Sequence, residues 1–264
     1  MTESHRSADH RKTNLAKLVI EQGGADVDEL AEILQVSVVT VYRDVAQLEK
    51  EGIVSLDKGR VRATASSIFD MSSVMRSELE LDAKQAFAKV VAPLVPRGAS
   101  IIVDDSSSVL PALDLISEQT PVTVVTNSLA VLRRVGRHPS VDVQMVGGKY
   151  AKWSDAFYGN RAIDQLREFQ VDVCLMSDSA VSHGFICNPY DYVSALKRAM
   201  LAAAQTSILL VDHTKFSRRA LIKTAAVTEF DYVITDKDPG DEFQTLCRET
   251  GTQIVITHPP LDEE

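Results

Sequence analysis

The stretch Asp26–Leu48, DVDELAEILQVSVVTVYRDVAQL, decides how the first quarter of this chain folds. Val27, Leu30, Ala31 and Leu34 fall at i, i+3, i+4 and i+7, the spacing of one buried helical stripe. Gln35-Val36-Ser37 then makes a turn too short to let two helices run antiparallel, and Ser37 stands where a second helix takes its cap. Val38, Val41, Val45 and Leu48 make the stripe of that second helix. At about 100° per residue, Val39, Thr40, Arg43 and Gln47 point away from the stripe, with Tyr42 on its flank. A helix that buries one face and offers short polar and cationic groups on the other suits the major groove of DNA.

The flanking residues extend this reading. Leu15, Leu18 and Val19 predict a preceding helix that closes a three-helix core. After Gly52, Ile53–Leu56 reads as a strand, Asp57-Lys58-Gly59 as a turn, and Arg60-Val61-Arg62 as the return strand of a basic β-hairpin. Residues 1–63 are therefore read as a winged helix-turn-helix domain with operator DNA as its partner. Ser37, Val39, Thr40, Tyr42, Arg43, Gln47, Lys58, Arg60 and Arg62 are its expected contacts.

Composition sets limits on that reading. A chain of 264 residues with 45% hydrophobic content can fill two cores. The net charge is −9, and residues 1–62 hold nine Lys/Arg against eleven Asp/Glu, so even the proposed DNA-binding part is not basic overall. Recognition must rest on where Arg43, Lys58, Arg60 and Arg62 are placed, should be salt-sensitive, and calls for a homo-oligomer, a dimer or tetramer. Cys174, Cys187 and Cys247 lie far apart with no metal-ligand spacing, so buried reduced thiols are expected and neither metal nor cofactor is read. Thr2–Asn14 is polar, and no apolar run approaches the ~18 residues of a membrane span. A cytoplasmic chain with no membrane partner is the expectation.

Residues 64–78 read as a linker, small and polar at first (TASSIFDMSSVM over 64–75), and residues 79–264 as a second domain. Short apolar strands are predicted over 100–104, 121–126, 141–146, 171–176, 207–211, 232–235 and 253–256, alternating with helices such as Tyr192–Gln205. That alternation gives an α/β fold with a mainly parallel sheet covered on both faces, whose ligands sit at the carboxyl ends of strands. Those ends carry Asp104-Asp105-Ser106-Ser107-Ser108, Thr126-Asn127-Ser128, Gly147-Gly148-Lys149 and Asp212-His213-Thr214-Lys215. Hydroxyls entering a helix N-terminus suit a phosphate, and glycines let a ligand approach the backbone.

Gln35–Val45, QVSVVTVYRDV, resembles the recognition-helix signature V-S-x-x-T-I-R-R-D-L of the DeoR family of bacterial transcriptional regulators, with Tyr42 in place of the first arginine. The wing departs further: Ser55-Leu56-Asp57-Lys58-Gly59-Arg60 replaces R-x-H-G-G-A. The second half is similar to that family's effector domain, which is related in fold to ribose-5-phosphate isomerase and coenzyme A transferases. Arg76 and Lys84 match a linker-helix pair, and Asp104 with Ser107 and Ser108 stands at D-x-G-[ST]-T. Thr126-Asn127-Ser128 matches T-N-S, Gly147-Gly148 G-G, Gly159 and Gly184 later glycines, Lys197–Met200 K-R-x-M, and Asp212 with Lys215-Phe216 D-x-[ST]-K-F.

The resemblance implies a regulator, a repressor of carbohydrate-metabolism genes, controlled by a phosphorylated sugar. Its implied effector contacts are Asp104, Ser106, Ser107, Ser108, Thr126, Asn127, Gly147, Gly148, Lys197, Asp212 and Lys215. Ser106 replaces the family's phosphate-loop glycine, and Ser194 stands where the family has a glutamate. Two other readings stay open. A sugar-phosphate isomerase-like enzyme with a DNA-binding appendage would use His213, Asp212 and Lys215, but the missing carboxylate at 194 takes away a general base. A purely architectural DNA-binding protein would use the second domain only to oligomerise.

Overall fold

The structure, a computed structural model, describes residues 3–22, 24–50, 53–63, 73–119 and 121–257. The chain divides into two units, Met1–Leu79 and Glu80–Glu264.

The first unit opens with helix α1 (Glu3–Gln22), strand β1 (Ala25–Asp26), helix α2 (Val27–Ile33) and helix α3 (Val38–Lys50). Extended Asp26 starts α2, with Asp28 and Glu29 in its first turn against the positive end of the helix dipole. Gln35 takes a left-handed φ of 54°, which turns the chain between α2 and α3. Ser37 Oγ then accepts from Thr40 N at 3.2 Å and caps α3. Leu15, Val19, Leu30, Val41, Val45, Leu48, Ile53 and Val61 form the core.

Val38 corrects the expected stripe: it is 37% exposed. Standing at the first position of α3, it has no helical turn before it to close over its side chain. The buried face takes Asp44 instead, gripped by Arg11 of α1 through bonds of 2.6 and 3.1 Å. Burying a carboxylate is costly unless it is paired, and Arg11 supplies the pair. The bond to Asp44 raises the Arg11 pKa above its ordinary value.

Strands β2 (Val54–Asp57) and β3 (Arg60–Ala63) form the hairpin, registered from Val54↔Ala63 to Asp57↔Arg60. Lys58 and Gly59 both have positive φ (48° and 81°), as a two-residue type I′ turn requires. The strand thus runs one residue further than expected and the turn is one shorter. β1 pairs with β3 as a third strand, Ala25↔Val61. Gly52 and residues 64–72 of the expected linker lie outside the described residues, and Ser73–Glu78 forms helix α4.

The second unit continues with α5 (Leu81–Val91), β4 (Ser100–Val103), α6 (Leu110–Glu118), β5 (Val122–Thr126), α7 (Leu129–Val135) and β6 (Val141–Met145). A short hairpin, β7 (Lys149–Ala151) and β8 (Ala156–Tyr158), leads to α8 (Asn160–Leu166), β9 (Val171–Met176), β10 (Ala180–Ser182) and β11 (Phe185–Asn188). Then come α9 (Asp191–Ala202), β12 (Ala204–Val211), β13 (Ile222–Ala226), β14 (Tyr232–Thr235), α10 (Asp241–Thr250) and β15 (Gln253–Ile256). The helix expected over 192–205 ends at Ala202, because Gln205 already belongs to β12.

Seven strands make one parallel sheet in the order β15-β14-β12-β9-β4-β5-β6. Alternate residues feed two cores. Ile101, Val103, Val124 and Leu175 pack under Phe87, Leu113 and Val131, while Ile102, Val125, Cys174 and Leu209 pack under Leu166, Leu196 and Met200. Burial on both faces is why these strands read as unbroken apolar runs. The order reverses between β4 and β9: β5 and β6 extend one way, and β12, β14 and β15 the other. In an open α/β sheet the crevice at such a switch point is where ligands bind. β10, β11 and β13 form a separate three-stranded sheet.

Candidate functional site

Ser37, the cap of α3, and Val39, Tyr42, Arg43 and Gln47 along it are exposed, and Thr40 is half-buried. Val39 is 77% exposed. The hydroxyls of Ser37 and Thr40 lie 2.9 Å apart and occupy one another at the cap. On the wing, Lys58, Arg60 and Arg62 are exposed, and Arg60 pairs loosely with Asp26 at 3.4 Å. A surface pair of this kind contributes little and is easily exchanged for a phosphate.

The second unit gathers charge at the carboxyl ends of β4, β9 and β12. Asp104, just past β4, is buried, and its Oδ1 accepts from Ser106 N at 3.0 Å. Its Oδ2 accepts from Ser106 Oγ at 2.7 Å and from Ser177 N at 3.2 Å, and forms an ion pair with Lys197 of α9. Lys197 Nζ also donates to the Ser177 carbonyl at 2.8 Å and to Ser106 Oγ at 3.3 Å. Burial alone would lower the Lys197 pKa; the charges of Asp104, Asp178 and Asp105 override it and hold the ammonium above its usual range.

A second lysine meets this group from beyond β12. Lys215 Nζ donates to Ser108 Oγ at 3.1 Å and to Ser177 Oγ, with Asp212 at 3.7 Å. Its pKa moves the other way: burial lowers it, and Asp212 offsets only part. Asp212 itself is held below the carboxylate range, because Lys215 and Arg218 outweigh its burial. Lys84 of α5 donates to Ser107 Oγ at 3.1 Å. Lys84, Lys197 and Lys215 are all buried, and each meets one hydroxyl of the run Ser106–Ser108.

Other expected contacts are used differently. Thr126 Oγ1 donates to the Val103 carbonyl at 2.7 Å and accepts from Ser128 N, so it braces β4 and β5. Gly147 N donates to Gln165 Oε1 at 3.1 Å. A side chain on Gly148 would come within 2.5 Å of the Tyr158 carbonyl. The space that the sequence reading reserved for a ligand is therefore taken at Gly148 by the backbone of β8.

Sequence reasoning left Lys84, Ser177, Asp178 and Arg218 out of the site. The end of β9, Ser177-Asp178-Ser179, carries the same hydroxyl-and-acid chemistry as the strand ends it neighbours, and was the signal available. Asp178 accepts from Asn188 Nδ2 at 2.6 Å and from Ser179 N at 2.8 Å, and burial raises its pKa. Ser194 is buried with its hydroxyl 2.9 Å from that of Thr224. His213 lies with Nδ1 2.6 Å from Asp236 Oδ2, and Lys237 Nζ is 3.1 Å from its Nε2. Among the described residues, Glu80, His213 and Asp236 bring ligand-capable atoms within 4.8 Å of one another. Within it, His213 is held to Asp236 by its backbone N–H and its Nδ1, both at 2.6 Å. The three cysteines are free and buried, and burial pushes the Cys174 thiol up.

Residues 11–67 match the model of the DeoR-like helix-turn-helix domain, and residues 79–237 that of the DeoR C terminal sensor domain. The chain belongs to the DeoR family. Its domains are those of a DNA-binding transcriptional regulator. It is 23% identical over 254 residues to the transcriptional repressor AccR of Agrobacterium fabrum, covering 96% of this chain and 98% of that one. It is 26% identical over 247 residues to the glycerol-3-phosphate regulon repressor of Haemophilus influenzae (93% and 96% covered). With the L-fucose operon activator of the same organism it shares 28% over 250 residues (94% and 99% covered). Ribose 5-phosphate isomerase A of Methanocaldococcus jannaschii aligns over 52% of this chain and 54% of its own at 16% identity and a TM-score of 0.38, a likeness too distant to bear on function. No helix among the described residues is long and apolar enough to cross a membrane.

Proposed function

We propose that this DeoR-family protein is a repressor of carbohydrate-metabolism genes whose operator affinity is set by a phosphorylated sugar. In this reading residues 1–63 bind operator DNA, residues 64–78 link, and residues 79–264 sense. One observation carries it. Lys84, Lys197 and Lys215 meet the hydroxyls of Ser107, Ser106 and Ser108 at the switch point of the sheet. Buried ammonium groups beside a row of hydroxyls are the complement of a phosphate ester. Asp104, Asp212 and Asn127 would take sugar hydroxyls, and Ser37, Val39, Thr40, Tyr42, Arg43 and Gln47, with the wing cations Lys58, Arg60 and Arg62, would meet DNA. Thr126 braces β4 against β5, and Gly148 gives room to the backbone of β8.

The reading is sensing without turnover. Ser194, its hydroxyl 2.9 Å from that of Thr224, stands where the family resemblance puts the carboxylate that could serve an isomerase as general base. Two-fold operators call for a dimer or tetramer of this chain. Thermal melting with phosphorylated sugars beside their parent sugars tests the sensing. One ester, and not its parent, should stabilise the protein by about 2.7 kcal/mol at a hundredfold excess over Kd. The same ester should shift operator affinity in a gel-shift titration, since an effector acts only by binding the two states unequally. A flat panel, or conversion of the ester to product, would count against the proposal.

A further inference from the structure

Four aromatic side chains close a ring of contacts beside the polar site. Trp153 stacks on Tyr158 with centroids 6.3 Å apart and planes 6° from parallel. Tyr158 meets Tyr192 edge-on at 5.3 Å, Tyr192 stacks on Tyr190 at 5.4 Å, and Tyr190 returns to Trp153 at 5.2 Å. An aromatic core cluster would be buried throughout. Here only Tyr158 is; Trp153 and Tyr190 are half-buried and Tyr192 is 36% exposed.

Two ties bring the ring to the phosphate-type site. After burial, the charges of Asp105 and Asp191 help to hold the Tyr192 phenol above its usual range, and Asp105 follows Asp104 in the strand-end loop. Asn127, at the end of β5, donates Nδ2 to the Phe157 carbonyl at 3.0 Å, one residue from Tyr158. Its Oδ1 is buried with no hydrogen-bond partner among the described residues. A buried acceptor left open costs free energy unless a donor arrives.

We infer that Trp153, Tyr190 and Tyr192 form a wall against which the ring of a cyclic sugar phosphate lies, with Asn127 Oδ1 accepting from one of its hydroxyls; this rests on the phosphate-sensing reading above. A pyranose has an apolar C–H face and a polar rim, and an aromatic wall beside an open acceptor complements both. A three-carbon polyol phosphate has no such face. The wall therefore selects ring sugars over acyclic phosphates that carry the same anionic group.

Trp153 is the single tryptophan of the chain, so its emission reports on the wall alone. The full-length protein is titrated with hexopyranose phosphates, glycerol 3-phosphate, inorganic phosphate and unphosphorylated hexoses, following tryptophan fluorescence and thermal melting in parallel. A hexopyranose phosphate should shift both, and Tyr192→Ala should weaken it about tenfold more than it weakens glycerol 3-phosphate. Tyr192→Phe, which keeps the ring, should restore the preference. Hexose phosphates that stabilise the protein without moving Trp153 emission, with no preference lost in Tyr192→Ala, would overturn the wall and spare the phosphate reading. Emission shifts with unphosphorylated hexoses alone would keep the wall and overturn the phosphate reading. No response to any ring sugar would overturn both.

Discussion

Lys197 and Asp104, separated by 93 positions in the chain, form an ion pair whose side chains are 4% and 1% exposed. A charge at that depth is tolerated only while its partner stands opposite. Asp104→Asn should therefore leave Lys197 buried against a neutral amide and lower the unfolding free energy by about 3–5 kcal/mol. Urea unfolding monitored by circular dichroism measures this. A loss below about 1 kcal/mol would mean that the pair is solvated in solution.

Lys215 predicts a pH dependence of the opposite kind. Burial sets its pKa below that of an ordinary lysine, so it sheds its proton earlier as pH rises. A phosphate ester is already dianionic above about pH 7, so between there and the normal lysine range of about 10.4 only the protein side titrates. Effector affinity should fall across that window, and binding there should take up protons. For stability the sign is reversed. The folded chain binds fewer protons at Lys215 than the unfolded chain does, so this group opposes folding at low pH and the opposition fades as pH climbs. Calorimetric titrations in two buffers of different ionisation enthalpy would show the proton uptake. A flat affinity between pH 7 and 10 would place the phosphate elsewhere.

Arg43 is exposed on α3 beside exposed Val39, Tyr42 and Gln47. Arg43→Ala should leave the melting temperature where it is and weaken operator binding by about 1–3 kcal/mol. If Arg43 reads a base, the loss will be confined to some operator sequences. Equal loss on every duplex, together with a shallower salt dependence, would assign it to phosphate.

Gly148→Ala places a methyl group 2.5 Å from the backbone oxygen of Tyr158. β8 is held in place, because Phe157 N donates to the carbonyl of Asn127, just past β5, at 2.9 Å. The substitution should cost about 1–3 kcal/mol in thermal unfolding. A wild-type melting curve would show that the β7–β8 hairpin shifts freely.

The seven strands of the parallel sheet and the two helices of the DNA-reading motif were legible because each carries its own periodic or unbroken apolar signal. Asp44 was not: its place in the core is decided by Arg11, thirty-three positions away, and no local pattern records that. Strand β1, two residues long, exists only because β3 lies beside it. Lys84 and Ser177 were missed for the same reason, since each gains its meaning from a partner on another element. Gly147-Gly148 shows the reverse error. Two glycines do announce a close approach, but the sequence does not say what approaches, and at Gly148 it is the protein's own strand.

The bidentate grip of Arg11 on Asp44 bears on how such a regulator can be switched. Asp44 follows Arg43 directly, so any rotation of the reading helix about its axis would tear a buried carboxylate from its cation. The helix is locked like a key already cut. Whatever alters DNA binding in this chain therefore has no cheap way to re-aim the exposed face of the reading helix.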